Sequence, residues 1–180
     1  MNELNFNPFP ELKTNRLLLR KLNISDSYEI LLLHSDETVN KYLERIKQSN
    51  TTDAEIFIAK INNGIRLNKW IYWAISPIEK QNLIGTICLW NFSSTKDVAE
   101  IGYELIPKYF GNGFMEEALK SVIDYGFNHL KLTRIEAFTH KQNSASMRLL
   151  LKNNFHLDKQ RLDSNNRNHI IFLLNKENYK

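Results

Sequence analysis

Apolar residues in the first half of the chain come in dense blocks. Residues 16–22 (Arg-Leu-Leu-Leu-Arg-Lys-Leu) read as a first strand. Asn23-Ile24-Ser25-Asp26 ends it, with Ser25 or Asp26 placed to cap a helix that runs to about His34. A second short helix is expected over 37–43. Thr52-Asp53-Ala54-Glu55 has the capping-box form and opens a third, with Gly64 near its end. The aromatic and β-branched run 70–76 predicts a strong strand. Residues 77–82 make a hairpin connection to a strand over 83–92, and the polar turn 93–97 leads to a strand over 98–105. Residues 69–105 are therefore expected to form an antiparallel meander.

The second half is more regular. Met115, Ala118, Leu119, Val122, Ile123 and Gly126 follow the spacing of one helix face, and the helix opens at about Phe114. Residues 134–139 read as a strand. It follows a helix-length crossover, so it should lie parallel to the strand at 98–105. A further helix begins near Asn143, with Met147, Leu150 and Leu151 as its apolar side and Asn154 suited to a left-handed stop. Residues 155–162 and 169–174 predict a closing hairpin. No repeat, low-complexity linker or boundary interrupts the 180 residues, so one domain is expected over 1–180, with its core at about 14–175.

Composition narrows the classes. A hydrophobic fraction of 42% and a charged fraction of 24% are those of an ordinary globular protein. The net charge of +4 suits a polyanionic small molecule but is too diffuse to argue for nucleic acid. One cysteine, Cys88, excludes an internal disulfide and reads as a buried structural thiol. The five histidines lack metal-ligand spacing, so no metal is expected. No apolar run is long enough to span a membrane and no signal peptide is visible, so a cytoplasmic location is expected.

Chemistry concentrates between Tyr103 and Ala118. A strand ends at Pro107, a loop holds Gly111 and Gly113 one residue apart, and a helix follows. Glycines let the chain turn sharply, and a helix start presents free amides and partial positive charge. The stretch is either a pyrophosphate cradle or an ordinary strand-to-helix turn. Phe114 and Met115 follow Gly113 in place of the Lys-Ser/Thr ending of an ATP-binding loop.

Four segments in order carry a resemblance that spans nearly the whole chain: Thr14-Asn15-Arg16-Leu17-Leu18-Leu19-Arg20, Leu83-Ile84-Gly85-Thr86-Ile87, Glu100-Ile101-Gly102-Tyr103-Glu104-Leu105 with the glycine loop, and Asn143-Ser144-Ala145-Ser146. The chain resembles the GNAT superfamily of N-acetyltransferases, and within it the Rim-type branch, which acetylates protein N-termini and assorted amines. It departs from the pattern twice. Lys108 stands where the signature has Gln or Arg, keeping the charge but not the planar fork. Asn154 stands where the branch has Gly.

The resemblance implies an α+β fold with a mixed, mostly antiparallel sheet flanked by helices and splayed at the cofactor strands. It implies acetyl-CoA as cosubstrate, with its pantetheine arm in the gap beside Leu105 and Ile106. The amides of Phe110, Gly111, Asn112, Gly113, Phe114 and Met115, with Lys108, are implied to hold the diphosphate. Glu100 is the candidate base, or else a solvated strand carboxylate; Glu104 is a weaker candidate. Ser146 is the candidate acid for the leaving thiolate, or else a plain helix-start serine. Asn143 is an N-cap, a pantetheine ligand, or both. Lys141, Arg148 and Lys152 are candidate phosphate contacts. The acceptor is a primary amine, either a protein N-terminus or a small molecule such as a polyamine or aminoglycoside; a non-catalytic CoA-binding module is the other class. Relatives often dimerise, which leaves a homodimer open.

Overall fold

The computed structural model describes residues 3–179. Its strands are β1 (Leu12–Lys13), β2 (Leu17–Arg20), β3 (Ile71–Pro77), β4 (Gly85–Trp90), β5 (Val98–Leu105), β6 (Arg134–His140), β7 (His156–Asp158) and β8 (His169–Asn175). They form one sheet in the order β1-β2-β3-β4-β5-β6-β8-β7. The helices are α1 (Ser27–Ser35), α2 (Glu37–Asn40), α3 (Thr51–Arg66), α4 (Phe114–Asp124) and α5 (Ser144–Lys152). The expected meander is β3-β4-β5, antiparallel throughout, and β5 runs parallel to β6.

Side-chain alternation sorts the sheet into two faces. Tyr72, Cys88 and Gly102 are register partners, as are Trp90 and Glu100, and Tyr72 meets Phe57 of α3 edge-on at 5.9 Å. This face therefore lies under α3. Trp73, Ile87 and Tyr103 have the opposite parity. Trp73 packs on Tyr125 at 5.5 Å, just beyond α4, so this second face is covered by α4. Met115, Ala118, Leu119, Val122 and Ile123 are all buried, as the period of α4 requires. A π-helical turn, Tyr125–His129, extends the helix and buries Gly126 and Phe127.

The ladder between β5 and β6 is short. Val98, Ala99 and Glu100 pair with Arg134, Ile135 and Glu136, and no rung follows. Beyond it, Ile101 to Leu105 keep β4 on one side, while Ala137 to His140 keep β8 on the other. The two strands part into a gap, as the splayed sheet implies.

Several local expectations are corrected. Asp26 occupies the N-cap position of α1, without a side-chain cap bond to that helix; the 3-10 turn Ile24–Asp26 before it is capped by Asn23, whose Oδ1 accepts from the Ser25 amide at 3.1 Å, while the Asp26 carboxylate accepts from the Asn23 amide at 2.8 Å. Asn50 caps α3 by accepting from the Asp53 amide at 3.0 Å, which places Thr52 inside the helix. On α5, Leu151 is 57% exposed while Leu150 is buried, so the apolar side is rotated toward Met147 and Leu150. The strand expected over 155–162 stops at Asp158, whose carboxylate accepts from the Gln160 and Arg161 amides at 2.9 and 3.2 Å and turns the chain. β1 carries no sequence signal of its own.

Candidate active site

The glycine loop follows β5 directly. Pro107–Tyr109 form a single 3-10 turn, Gly111 and Gly113 take φ of +76° and +74°, and Gly113 is the N-cap of α4. A side chain is strained at such φ values, and nothing lies within 4 Å of where a Gly111 Cβ would sit. The Phe110 amide donates to the Pro107 carbonyl at 2.9 Å, so it is unavailable to a ligand and drops out of the expected cradle. Among the described residues, the amides of Gly111, Asn112, Gly113, Phe114 and Met115 have no partner within the protein. Five free amides around a helix start with no side-chain cap fit a diphosphate. Lys108 is exposed beside them, its ammonium 4.9 Å over the Tyr109 ring.

Glu116 and Glu117 in the first turn of α4 would oppose an anion, but both are turned aside. Glu116 pairs with Lys120 at 2.9 Å and Lys152 at 2.6 Å, which hold its carboxyl below the usual range. Burial pulls the Glu117 carboxyl up, but Thr14 and Arg16 outweigh it, and its pKa is lowered. Arg16 also donates from Nη1 to the Asn112 carbonyl at 3.0 Å and lies 4.6 Å over the Phe114 ring. Sequence reasoning passed over Arg16 as a site residue, although it sits in the opening motif. Lys152, expected as a phosphate contact, is occupied by Glu116.

At the gap, the two expected pantetheine residues differ. The Ile106 amide donates to the Ile84 carbonyl, and its own carbonyl accepts from Tyr109, both at 2.9 Å. Only its side chain is left to offer. By ladder alternation Leu105 turns its amide and carbonyl toward the gap. Asn143 caps α5, its Oδ1 accepting from the Ser146 amide at 3.1 Å, which leaves its Nδ2 free to donate. Ser146 Oγ lies 2.8 Å from the Tyr103 hydroxyl, so α5 reaches across to β5 on the α4 face.

Glu100 stands on the opposite face at the last rung before the gap, paired with Trp90 and Glu136. Burial pushes its carboxyl up to about 7, against a hydrogen bond from Asn91, and the charges of Asp163 and Glu136 add to the rise. Next along this face, Gly102 leaves room: a Cβ there would sit 3.2 Å from Cys88 Sγ and 3.7 Å from Trp90 Nε1. Burial raises the Cys88 thiol to about 12, which makes it inert as a nucleophile. Glu104 is held by Arg45 and is not a free base. Arg45 lies in a stretch whose mixed charges carried no pattern to single it out. Among the described residues no cluster of His, Cys, Asp and Glu could hold a metal, and no helix is long and apolar enough to cross a membrane.

The chain as a whole is similar to known proteins. The family model for the acetyltransferase (GNAT) domain matches residues 16–156. The uncharacterized N-acetyltransferase YoaA of Bacillus subtilis is 36% identical over 147 residues, covering 82% of this chain and 83% of that protein. The crystal structure of a GNAT-family acetyltransferase from Bacillus anthracis superposes with a TM-score of 0.79 at 25% identity, covering 93% of this chain and 99% of the other. The ribosomal L7/L12 alpha-N-protein acetyltransferase RimL, solved in complex with coenzyme A, shares the fold at a TM-score of 0.78 and 15% identity, covering 92% of this chain and 98% of its own. With a family match across most of its length, this chain belongs to the GNAT acetyltransferases, enzymes that use acetyl-CoA.

Proposed function

We propose that this chain transfers the acetyl group of acetyl-CoA to the α-amino group of a protein N-terminus, by direct attack and without a covalent enzyme intermediate. The diphosphate rests on the amides of Gly111, Asn112, Gly113, Phe114 and Met115 with Lys108 nearby. The pantetheine arm lies along the free edge at Leu105, against the Ile106 side chain and within reach of Asn143 Nδ2. Glu100 takes the proton of the attacking amine, and Ser146 meets the departing sulfur.

The observation that carries this reading is the placement of Glu100 and Ser146 at one gap on opposite faces of the sheet. A thioester threaded between β5 and β6 would present its carbonyl carbon to an amine on one face and its leaving group to a hydroxyl on the other. The basicity of Glu100, about 7, supports an α-amine. Such a group has a pKa of about 8 and is partly neutral at pH 7, whereas a lysine amine at about 10.4 is almost wholly protonated. The likeness to RimL, an alpha-N-protein acetyltransferase, agrees.

A polyamine is the second reading: Asp163 and Glu136 add carboxylate charge near Glu100, although Arg134 and Arg161 hold Glu136 at 2.8 and 2.9 Å and His169 lies 2.9 Å from Asp163. Thiol release from acetyl-CoA with an Ala-Ala-Ala-Lys peptide, the same peptide blocked at its α-amine, and spermidine separates them. Turnover of the free peptide alone supports the first reading; turnover of spermidine alone overturns it. Coenzyme A binding without turnover of any amine would leave the chain a binding module.

A further inference from the structure

Tyr103 lies in a strand motif on β5, and its hydroxyl touches the side chain proposed to meet the leaving group. Ser146 Oγ and Tyr103 Oη are 2.8 Å apart, and either can be the donor. The choice matters because serine has a single proton. If Ser146 gives that proton to Tyr103, nothing remains to point at sulfur. If Tyr103 donates, Ser146 keeps a free O–H.

The rest of the local geometry constrains Ser146. Its amide is fixed by Asn143 Oδ1 at 3.1 Å, which anchors the first turn of α5. Tyr103 is on the part of β5 that has lost β6 as a neighbour, on the face opposite Glu100. The contact thus spans the gap itself. Burial pushes the Tyr103 phenol up to about 12, so it keeps its proton at any working pH.

We propose that Tyr103 is a positioning residue: its phenol donates to Ser146 Oγ and thereby holds the Ser146 proton toward the sulfur of coenzyme A in the gap. This rests on the reading that coenzyme A binds there. An aliphatic alcohol is a far weaker acid than a thiol, so Ser146 does not surrender its proton outright. The N–C bond forms, the C–S bond breaks, and the electron pair stays on sulfur as a thiolate that accepts the Ser146 hydrogen bond. Glu100 carries the amine's proton and releases it to water, from which the departed thiolate is protonated.

The test is the titration of the bound thiol, which needs no acceptor. Coenzyme A is bound to wild type, Tyr103→Phe, Ser146→Ala and the double variant. Thiolate absorbance is followed against pH as a difference from the complex with desulfo-coenzyme A, which cancels tyrosine ionisation. A hydrogen bond to an anion should lower the thiol pKa by roughly 1–2 units in wild type relative to Ser146→Ala. Tyr103→Phe should recover at least half of that shift, and the double variant should match Ser146→Ala. Affinity at pH 6, where the thiol is neutral, should be alike in all four. A Tyr103→Phe titration equal to wild type overturns the proposal, even where Ser146→Ala shifts. So does loss of coenzyme A binding at pH 6 in Tyr103→Phe, which would mark a structural role. Wild type that ignores millimolar coenzyme A defeats the binding reading itself and is distinguishable from both.

Discussion

Arg45 and Glu104 are joined by two parallel hydrogen bonds, Nη1 to Oε1 at 2.7 Å and Nη2 to Oε2 at 2.8 Å. Arg45 Nε donates in turn to Asn40 Oδ1 at 2.6 Å. The pair ties the irregular 41–50 segment to β5 beside the gap and commits the Glu104 carboxylate. Of the two glutamates that β5 puts on this face, Glu100 alone is left to act as a base.

Arg45→Ala should therefore weaken the fold. Both side chains are largely shielded, between the exposed pairs that contribute little and the buried ones that contribute several kcal/mol when broken. A loss of about 2 kcal/mol is expected, read as a melting temperature lower by roughly 4–8 °C. Glu104→Gln should lose less and turn over at near the wild-type rate.

Glu100→Gln should behave in the opposite way. Its expected loss in kcat/KM is about 10²–10⁴-fold, the usual worth of a positioned base. The acidic limb of the wild-type pH profile should have an apparent pKa near 7 and should vanish in the variant. Stability moves differently. The folded pKa of about 7 lies above the ordinary 4.5, so the folded state holds its proton longer, and stability falls as pH rises from about 4.5 through 7. Glu100→Gln should melt higher than wild type at pH 8 and near it at pH 5.

The contrast between these glutamates shows where the sequence was legible. Period-two and period-3.6 patterns located β5, α4 and the parallel β6, because both faces of each element are set by burial. Gly111 and Gly113 announced the loop because few other residues tolerate their φ. Arg45 and Tyr103 were not legible as partners, since Arg45 finds Glu104 at a separation of 59 residues and Tyr103 finds Ser146 at 43. Such pairings are products of topology, and no local pattern encodes them. The free or committed state of single amides, as at Phe110 and Ile106, is equally invisible before the fold is known.

His34 should make the fold acid-sensitive. It is 2% exposed, and burial, with the nearby Arg45 charge, lowers its pKa to about 3. Its Nε2 lies 3.8 Å from Glu104 Oε2, which is not an ion pair while the ring is neutral. The unfolded chain protonates this histidine near 6.5 and the folded one does not, so stability should fall as pH drops from about 6.5 toward 3. Chemical melts of wild type and His34→Gln across that window check it: the variant should lose less on acidification.

Backbone conformation gives a further test. Asn154, where the related pattern has glycine, has φ +64°. Asn154→Gly should stabilise the protein by a few tenths to about 1 kcal/mol by relieving left-handed strain and leave coenzyme A binding untouched. Gly111→Ala should do the reverse. Open space around its Cβ confines the damage to strain of about 1 kcal/mol, but tilting one amide out of the cradle should weaken coenzyme A binding at least tenfold. Calorimetric titration and thermal melts separate the two effects.

Arg16 is the splint of that cradle. Its backbone amide donates to Glu117 Oε1 at 2.9 Å, its Nε to Glu117 Oε2 at 2.7 Å, and its Nη1 to the Asn112 carbonyl at 3.0 Å. One guanidinium thus fixes the first turn of α4 relative to the loop that precedes it and draws the Glu117 charge away from the free amides. A lysine carries the same charge but a single ammonium, which cannot meet the Glu117 carboxylate and the Asn112 carbonyl in that planar arrangement. Arg16→Lys should therefore resemble Arg16→Ala. Both should raise KM for acetyl-CoA about tenfold, roughly one charge-assisted hydrogen bond, with kcat little changed, because the reacting groups at Glu100 and Ser146 are untouched. Were Arg16 simply a charge for the phosphates, lysine would preserve most of the affinity, and steady-state kinetics at two salt concentrations distinguish the cases. A splint gives a KM change that salt does not alter, whereas a lost phosphate charge gives one that shrinks as salt rises.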